Sequence, residues 1–280
     1  MTPPQDDVLT VETIPVDACD DNTVVALVTI NRPNKLNALN ADVTSAMKTM
    51  VEWAESEDSV RCIIMTGAQP LKPEEGKRAK PHAFVAGADI TEFLGAGVEE
   101  ITIKFTDNAI EALWNMSKPT IAMIDGFALG GGLEVACSCD IRFASSRSKF
   151  GTPEINLGLI PGYGATQRLV SLLGYGKALE MVYTGEMIGA EEAHRIGLVN
   201  HVVEADELKQ KALEMACLIA TKSSHTLRVA KSTMRSALDE GLTEGIATEA
   251  KAFAKLFDTE DQEIGVQAFL NREKAQWKHK

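Results

Sequence analysis

Three consecutive glycines, Gly130-Gly131-Gly132, stand between a strand-like apolar run and a short helix-like segment, and they constrain the fold more than any other feature. Before them come Ile121-Ala122-Met123-Ile124, a turn at Asp125-Gly126, and Phe127-Ala128-Leu129; Leu133 to Ser138 follows. A turn without side chains lets another group approach the backbone and leaves the first helical N–H groups free. Either an oxyanion or anion site, or simply close packing of helix on strand, satisfies that geometry. The usual phosphate fingerprints are missing: Gly130-Gly131-Gly132-Leu133-Glu134-Val135 lacks the third spaced glycine of a dinucleotide turn, and no Gly-Lys-Ser/Thr follows.

Around this turn, strands and helices alternate. Val8 to Val16 alternates loosely, Asp17 to Asn22 is turn-like and Val24 to Ile30 is β-branched, so a hairpin opens the fold. Asn40 is a fitting N-cap for an amphipathic helix through Val43, Met47, Met50, Val51 and Ala54. A buried strand at Cys62-Ile63-Ile64-Met65, a helix over about 106–116, and a return strand from Asp140 to Ala144 complete the repeats. Such units predict an α/β core with parallel strands over residues 1–203. From Glu204 to Lys280 the pattern is helical only, with apolar residues such as Leu208, Leu213, Ala216, Cys217, Ile219 and Ala220 and then Phe253, Leu256, Phe257, Ile264, Phe269 and Leu270. This region reads as a helical appendage that packs on the core or on another subunit.

At 280 residues the chain can bury a full core without disulfides or metals. No segment approaches the roughly 18 apolar residues that span a bilayer, so no membrane association is expected. The opening Met1-Thr2-Pro3-Pro4-Gln5-Asp6-Asp7 has neither signal nor transit character, and the odd count of five cysteines suits a reducing compartment; a cytoplasmic location is the expectation. A net charge of −12 argues against nucleic acid as a partner. One stretch is locally basic, between Gln69 and His82, where Lys72, Lys77, Arg78 and Lys80 outnumber Glu74 and Glu75. It is either a solvated loop or a seat for an anionic group.

Two carboxylates draw notice. Glu134 lies in the first helical turn among Leu133, Val135, Ala136 and Cys137; it either complements the helix dipole or acquires a raised pKa in apolar company. Glu154, in Phe150-Gly151-Thr152-Pro153-Glu154-Ile155, is an exposed loop residue or a second such acid. No Gly-x-Ser-x-Gly or His-Glu-x-x-His occurs, Cys137 and Cys139 are too close for a zinc knuckle, and the five histidines are scattered, so no metal site is expected.

From Lys118 to Leu169 the chain closely resembles the enoyl-CoA hydratase, or crotonase, family, in Lys-Pro-Thr-Ile-Ala-Met-Ile-Asp-Gly-Phe-Ala-Leu-Gly-Gly-Gly-Leu-Glu and Ile-Pro-Gly-Tyr-Gly-Ala-Thr-Gln-Arg-Leu. Asn31-Arg32-Pro33 with Leu36-Asn37-Ala38-Leu39, Ala86-Gly87-Ala88-Asp89-Ile90, and Thr184-Gly185 through Gly197-Leu198-Val199 extend the likeness over nearly the whole chain. The resemblance implies a spiral of ββα units with a C-terminal helical trimerisation region, assembled as a homotrimer or a dimer of trimers. It implies an acyl-CoA thioester substrate, coenzyme A being part of that substrate and no separate cofactor being needed. It also implies an oxyanion hole from the N–H groups of Ala88 and Gly131, Glu134 as the base orienting water, Glu154 as the acid protonating the α-carbon, and a Gly162 donor toward that water. The coenzyme A contacts implied are largely main-chain, around Lys35, Leu36, Ala38, Ala86, Asp89 and Ile90.

Two departures from the family pattern stand out. Tyr163 occupies a position beside the catalytic loop where a small residue is usual, which suggests a shortened acyl pocket. The extension before Phe84 suggests that Lys77, Arg78 or Lys80 meets a coenzyme A phosphate. Within the family the rival activity is Δ3,Δ2-enoyl-CoA isomerisation, which typically needs only one glutamate. Keeping both favours hydration, or its reverse on 3-hydroxypropionyl- or 3-hydroxybutyryl-CoA. The rival of another class is an RNA-binding homologue, and the mixed charge of Lys209 and Lys211 among Glu204, Asp206, Glu207 and Glu214 speaks against it.

Overall fold

The protein is described by a computed structural model over residues 2–19, 22–73, 75–76, 78–106 and 108–280. Asp20 and Asp21 of the predicted turn, and Glu74 and Lys77 of the basic stretch, lie outside the described residues. Among the described residues the strands run in chain order as β1 (Leu9–Pro15), β2 (Val24–Ile30), β3 (Val60–Gly67), β4 (Ala83–Val85), β5 (Thr120–Ile124), β6 (Phe127–Leu129), β7 (Ile141–Ser145), β8 (Lys149–Gly151), β9 (Ile188–Gly189) and β10 (His201–Val203). The helices are α1 (Ala41–Ser56), α2 (Val98–Thr106), α3 (Ala109–Trp114), α4 (Gly131–Ser138), α5 (Ala165–Leu173), α6 (Tyr175–Thr184), α7 (Ala190–Arg195), α8 (Leu208–Ala220), α9 (Ser224–Ser236), α10 (Leu242–Lys255) and α11 (Glu260–Asn271).

From β3 to β8, successive strands alternate between two sheets. The larger has the order β1-β2-β3-β5-β7-β10 and the smaller β4-β6-β8-β9. The opening hairpin is antiparallel, while β2, β3, β5, β7 and β10 are mutually parallel. Each of the middle repeats therefore lays one strand in each sheet before its helices begin, which is the expected ββα spiral. In the smaller sheet β4, β6 and β8 are parallel and only β9 reverses.

The inner strands β2, β3 and β5 of the larger sheet are buried on both faces, so they read as continuous apolar runs rather than alternating ones. Ala26, Val28, Ile63, Met65, Ala122 and Ile124 point into the main core with α1, α3 and α4. The intervening Val25, Leu27, Cys62, Ile64, Ile121 and Met123 meet Leu208, Ala212, Ala216 and Ala220 of α8. This spacing of four residues is one helical face, and small alanines let the helix lie close on the strands. Helix α8 thus covers the sheet, and the later helices extend beyond it.

Local chemistry accounts for the helix boundaries. Asn40 caps α1 by accepting the Val43 N–H at 3.1 Å. The helix predicted over about 106–116 is shorter, as α3 over Ala109–Trp114, and a separate helix, α2 over Val98–Thr106, precedes it. Asn108 Oδ1 accepts from the N–H groups of Ile110 at 3.0 Å and Glu111 at 2.9 Å, which starts α3 afresh after α2 has ended. The C-terminal helices are tied down at one end: Lys231 Nζ donates to the Lys118 carbonyl and to Asp140 Oδ2, each at 2.7 Å. They nonetheless expose large apolar residues, including Leu242, Phe253, Phe257 and Phe269.

Candidate active site

The parallel strands of the smaller sheet carry the candidate residues on their C-terminal ends, where open α/β sheets ordinarily present ligand sites. Ala88 follows β4, Gly131 follows β6 and Glu154 follows β8. The pairing of Val85 with Ala128 and of Leu129 with Gly151 aligns those ends, and the Gly130 N–H donates to the Gly151 carbonyl at 2.9 Å.

Each glycine of the triplet answers a different demand. Gly130 has φ +50° and ψ −123°, a conformation that L side chains rarely adopt, and a Cβ there would lie 2.6 Å from Glu154 Oε1. At Gly131 a Cβ would stand 3.2 Å from Leu39 Cδ1 and 3.4 Å from the Ala88 nitrogen. At Gly132 it would meet the Val85 carbonyl oxygen at 1.9 Å. The helix start is thereby pressed against the segment after β4. Among the described residues neither the Ala88 nor the Gly131 N–H donates to a group of the chain. Two neighbouring unpaired donors, one at the first position of α4, are an arrangement whose chemistry suits an oxygen carrying negative charge.

Glu134 is 1% exposed on the first turn of α4. Its Oε1 accepts the Tyr163 N–H at 2.7 Å and the Ala165 N–H at 2.9 Å, leaving Oε2 without a partner among the described residues. Burial pushes its pKa up to about 7; the charge of Glu154 adds to the rise, and the two amides and Arg168 oppose it. Glu154 sits at the start of a 3-10 turn, Pro153–Leu157. Its Oε2 is buried without a hydrogen-bond partner, and burial raises its pKa as well. A buried carboxyl oxygen in that state is costly unless something else engages it.

The raised Glu134 pKa has a consequence for stability. A carboxyl that titrates higher in the folded than in the unfolded state contributes stability below its ordinary value of 4.5 and loses it as pH rises toward about 7. Glu134→Gln keeps an oxygen to accept both amide bonds and removes the desolvated charge. It is therefore expected to melt several degrees above wild type at pH 8 and together with it near pH 4.5, as read by calorimetry. Equal melting temperatures at both pH values would contradict the burial argument.

The proposed coenzyme A segments are stitched together. Lys35 is exposed at the end of a 3-10 turn, and Leu36 and Asn37 follow at φ 51° and 58°. Buried Asn37 holds that bend by donating from Nδ2 to the carbonyls of Ala68 at 2.9 Å and Ala83 at 2.8 Å. The Ala86 N–H donates to the Leu36 carbonyl at 3.1 Å and the Asp89 N–H to the Leu39 carbonyl at 2.7 Å. Arg32 closes the unit, from Nη1 to the Ala38 carbonyl at 2.7 Å and from Nη2 to Asp89 Oδ2 at 3.1 Å. Ile90 is 54% exposed at its edge. Of the basic extension, Arg78 and Lys80 are exposed, and the Lys80 amine donates to the Asn34 carbonyl, so the extension folds back beside Lys35.

Tyr163 is buried and stacks on Phe105, with ring centroids 4.2 Å apart and planes at 13°. Phe105 also approaches Phe93, at 6.3 Å, and covers Gly162, where a Cβ would lie 2.5 Å from its ring. Sequence reasoning missed Phe93 and Phe105 because both lie outside the helix it drew. The apolar spacing of Ile101, Phe105 and Ala109 was the available signal, and the break at Asn108 obscured it.

Residues 20–280 match the family model described as enoyl-CoA hydratase/isomerase. The chain is 41% identical to a short-chain enoyl-CoA hydratase of Clostridium acetobutylicum, over 89% of this chain and 92% of that protein. A crotonyl-CoA hydratase of Syntrophomonas wolfei is 38% identical over 90% and 93% of the two chains. Among solved structures, an enoyl-CoA hydratase from Bacillus anthracis superposes with a TM-score of 0.85 at 32% identity, covering 98% of this chain and 100% of that one.

Proposed function

Given that the chain belongs to the enoyl-CoA hydratase/isomerase family, we propose that it is a short-chain enoyl-CoA hydratase, reversibly adding water to a trans-2-enoyl-CoA to give a 3-hydroxyacyl-CoA. The observation that carries this reading is the convergence of two unpaired amides, the buried carboxyl of Glu134 and the half-buried carboxyl of Glu154, with its buried Oε2, at the strand ends of the smaller sheet. An isomerase that only shuttles a proton has no use for the second carboxyl.

In this reading the thioester carbonyl oxygen accepts from Ala88 and Gly131. Water, held by Glu134 Oε2 and by the Gly162 N–H, attacks the β-carbon as ionised Glu134 takes its proton. Electron density moves through the α-carbon to the thioester oxygen, where the two fixed donors stabilise it more than they stabilise the neutral substrate carbonyl. Protonated Glu154 then delivers its proton to the α-carbon. Water is thus split into a hydroxyl on one carbon and a hydrogen on the other, and the two carboxyls exchange protonation states. The raised pKa values of both acids suit a site that must hold one proton near neutrality, and they titrate as a pair. Coenzyme A arrives and leaves with the acyl group, and the chemistry requires no cofactor.

The direct test follows loss of the enoyl thioester's ultraviolet absorbance with crotonyl-CoA. Rapid loss with formation of 3-hydroxybutyryl-CoA supports the reading. No loss, with conversion of a 3-enoyl-CoA to the 2-enoyl isomer, would replace it with isomerisation. With Glu134 as base, kcat/KM should fall on the acid side of about pH 7.

Tyr163 and Phe105 support a preference for short acyl chains, since a rigid aromatic pair fills the space beside the catalytic loop. Wild type should favour C4 over C10 enoyl-CoA, and Tyr163→Ala should raise the C10 to C4 ratio of kcat/KM by about tenfold or more. A wild type that prefers C10 would sink this assignment. For coenzyme A itself, the paired variant Arg78→Ala and Lys80→Ala should bind it about threefold to tenfold more weakly at low salt, with the difference shrinking as salt rises. Unchanged binding at low salt would make the extension a solvated loop.

The exposed apolar residues of α9–α11 favour self-association, as a trimer or a dimer of trimers. Free thiols at Cys62, Cys137 and Cys139, all buried, fit a reducing cytoplasm.

A further inference from the structure

Arg168, on the first turn of α5, is 8% exposed and has no part in the proton transfers. Its Nη1 donates to the Tyr163 carbonyl at 2.7 Å, and its Nη2 donates to Glu111 Oε2 at 2.7 Å. The guanidinium carbon lies 4.7 Å from the centre of the Trp114 ring, and Arg235 of α9 approaches the same ring at 4.1 Å. Arg235 is anchored in turn on Asp140 Oδ1 at 3.2 Å. Gly164, at φ +103°, leaves the guanidinium its space, since a Cβ there would stand 2.3 Å from Nη1. The bonded carbonyl belongs to the residue whose own N–H holds Glu134, and α5, the helix of Arg168, begins with the second N–H that does so.

We propose that Arg168 is a positioning residue for the hydration reaction: it fixes the 163–165 turn so that two main-chain amides grip Oε1 of Glu134 and leave Oε2 aimed at the water. A glycine-rich turn has many conformations available, and Oε1 accepts two bonds only while both N–H groups converge. One flat guanidinium clamps the turn by one edge, the α3 carboxylate by another and an indole by its face. A lysine ammonium matches only one of these demands. The titratable and charged groups bearing on Glu134 are Glu154, Arg168, the Tyr163 phenol and the Cys137 thiol. Burial holds the last two neutral near pH 7, with Tyr163 pushed up to about 12 and Cys137 to about 11. Loosening the clamp removes amide bonds that lower the Glu134 pKa, so that pKa rises.

The inference rests on the hydratase reading, and the test separates the two. Wild type, Arg168→Lys, Arg168→Met and Glu111→Gln are assayed with crotonyl-CoA, and the Glu134 carboxyl is titrated by infrared difference spectroscopy, assigned by its loss in Glu134→Gln. Arg168→Lys, which retains the charge and most of the volume, decides the matter should Arg168→Met fail to fold. The expected result for both is a kcat lower by about 10–100-fold with KM changed by less than about threefold, and a Glu134 titration displaced to higher pH. Glu111→Gln, which loosens one anchor of the guanidinium but leaves the Tyr163 bond in place, should lower kcat less than Arg168→Lys does; a larger loss than in Arg168→Lys would overturn the inference. An Arg168→Lys enzyme with an undisplaced Glu134 titration overturns the inference, whatever its kcat. A wild type that fails to hydrate crotonyl-CoA removes the hydratase reading instead, and the titration, which needs no turnover, still decides the role of Arg168.

Discussion

Glu134→Gln and Glu154→Gln should each lower kcat for crotonyl-CoA hydration by about 10³–10⁴-fold, at the upper end of what one positioned acid or base supplies. The geometry predicts that neither loss comes from binding. Glu134 is tethered through Oε1 to the Tyr163 and Ala165 amides, and a glutamine oxygen accepts the same bonds. KM should therefore change little in Glu134→Gln, and the deficit should lie in kcat. Combining the substitutions should cost far less than the product of the single losses, because both groups serve the addition of one water and act as a unit. A double variant that showed the full product would mean that the carboxyls act in independent steps. A Glu154→Gln enzyme within tenfold of wild type would shift the chemistry to a single carboxyl and with it toward isomerisation.

Gly132→Ala should have the second large effect, although residue 132 touches no substrate in the proposed mechanism. Its Cβ would lie 1.9 Å from the Val85 carbonyl oxygen, a backbone atom of β4 that cannot swing aside. The start of α4 and the end of β4 must separate, and these are the two segments that present the Gly131 and Ala88 N–H groups. Loss of one well-aimed oxyanion donor elsewhere costs about 10²–10³ in kcat. At least that much is expected here, together with about 1–3 kcal/mol of lost stability from overpacking. Steady-state kinetics and denaturant unfolding measure the two parts. A folded Gly132→Ala protein with wild-type kcat would remove the oxyanion role from this turn.

Much of this architecture was legible in the residues. The apolar runs at 24–30, 62–65 and 121–124 identified strands, and their lack of alternation is explained by burial on both faces, against the main core and against α8. Glu134, Glu154, Ala88 and Gly131 drew attention through a glycine-rich setting and the family resemblance, and the fold brings them to adjacent strand ends. What stayed hidden depends on contacts far apart in sequence. No periodicity foretells that the Tyr163 and Ala165 amides take up one oxygen of Glu134, since helix and turn come from different repeats. Arg168 read as one more residue of a family motif, because its meaning lies in Glu111 and Trp114 on another helix. Helix α2, which carries Phe105, buries none of its residues, so no apolar stripe of core residues marked it before the helix drawn from about 106.

The segment that brings Phe93 and Phe105 to Tyr163 differs in kind from the strand ends that hold the chemistry. Among its described residues between β4 and α3 it contributes no strand, and α2 buries none of its residues, whereas Glu134, Gly131 and Ala88 hang from a hydrogen-bonded sheet. Inheritance can therefore treat the two parts separately. In the proposed reading, residues 91–104 tolerate change at less cost to folding than the strand ends do, and a change at Phe93 alters the acyl group accepted while the carboxyls and amides at the strand ends stay in place. A scaffold divided in this way can diversify its substrates many times over without having to reinvent its reaction.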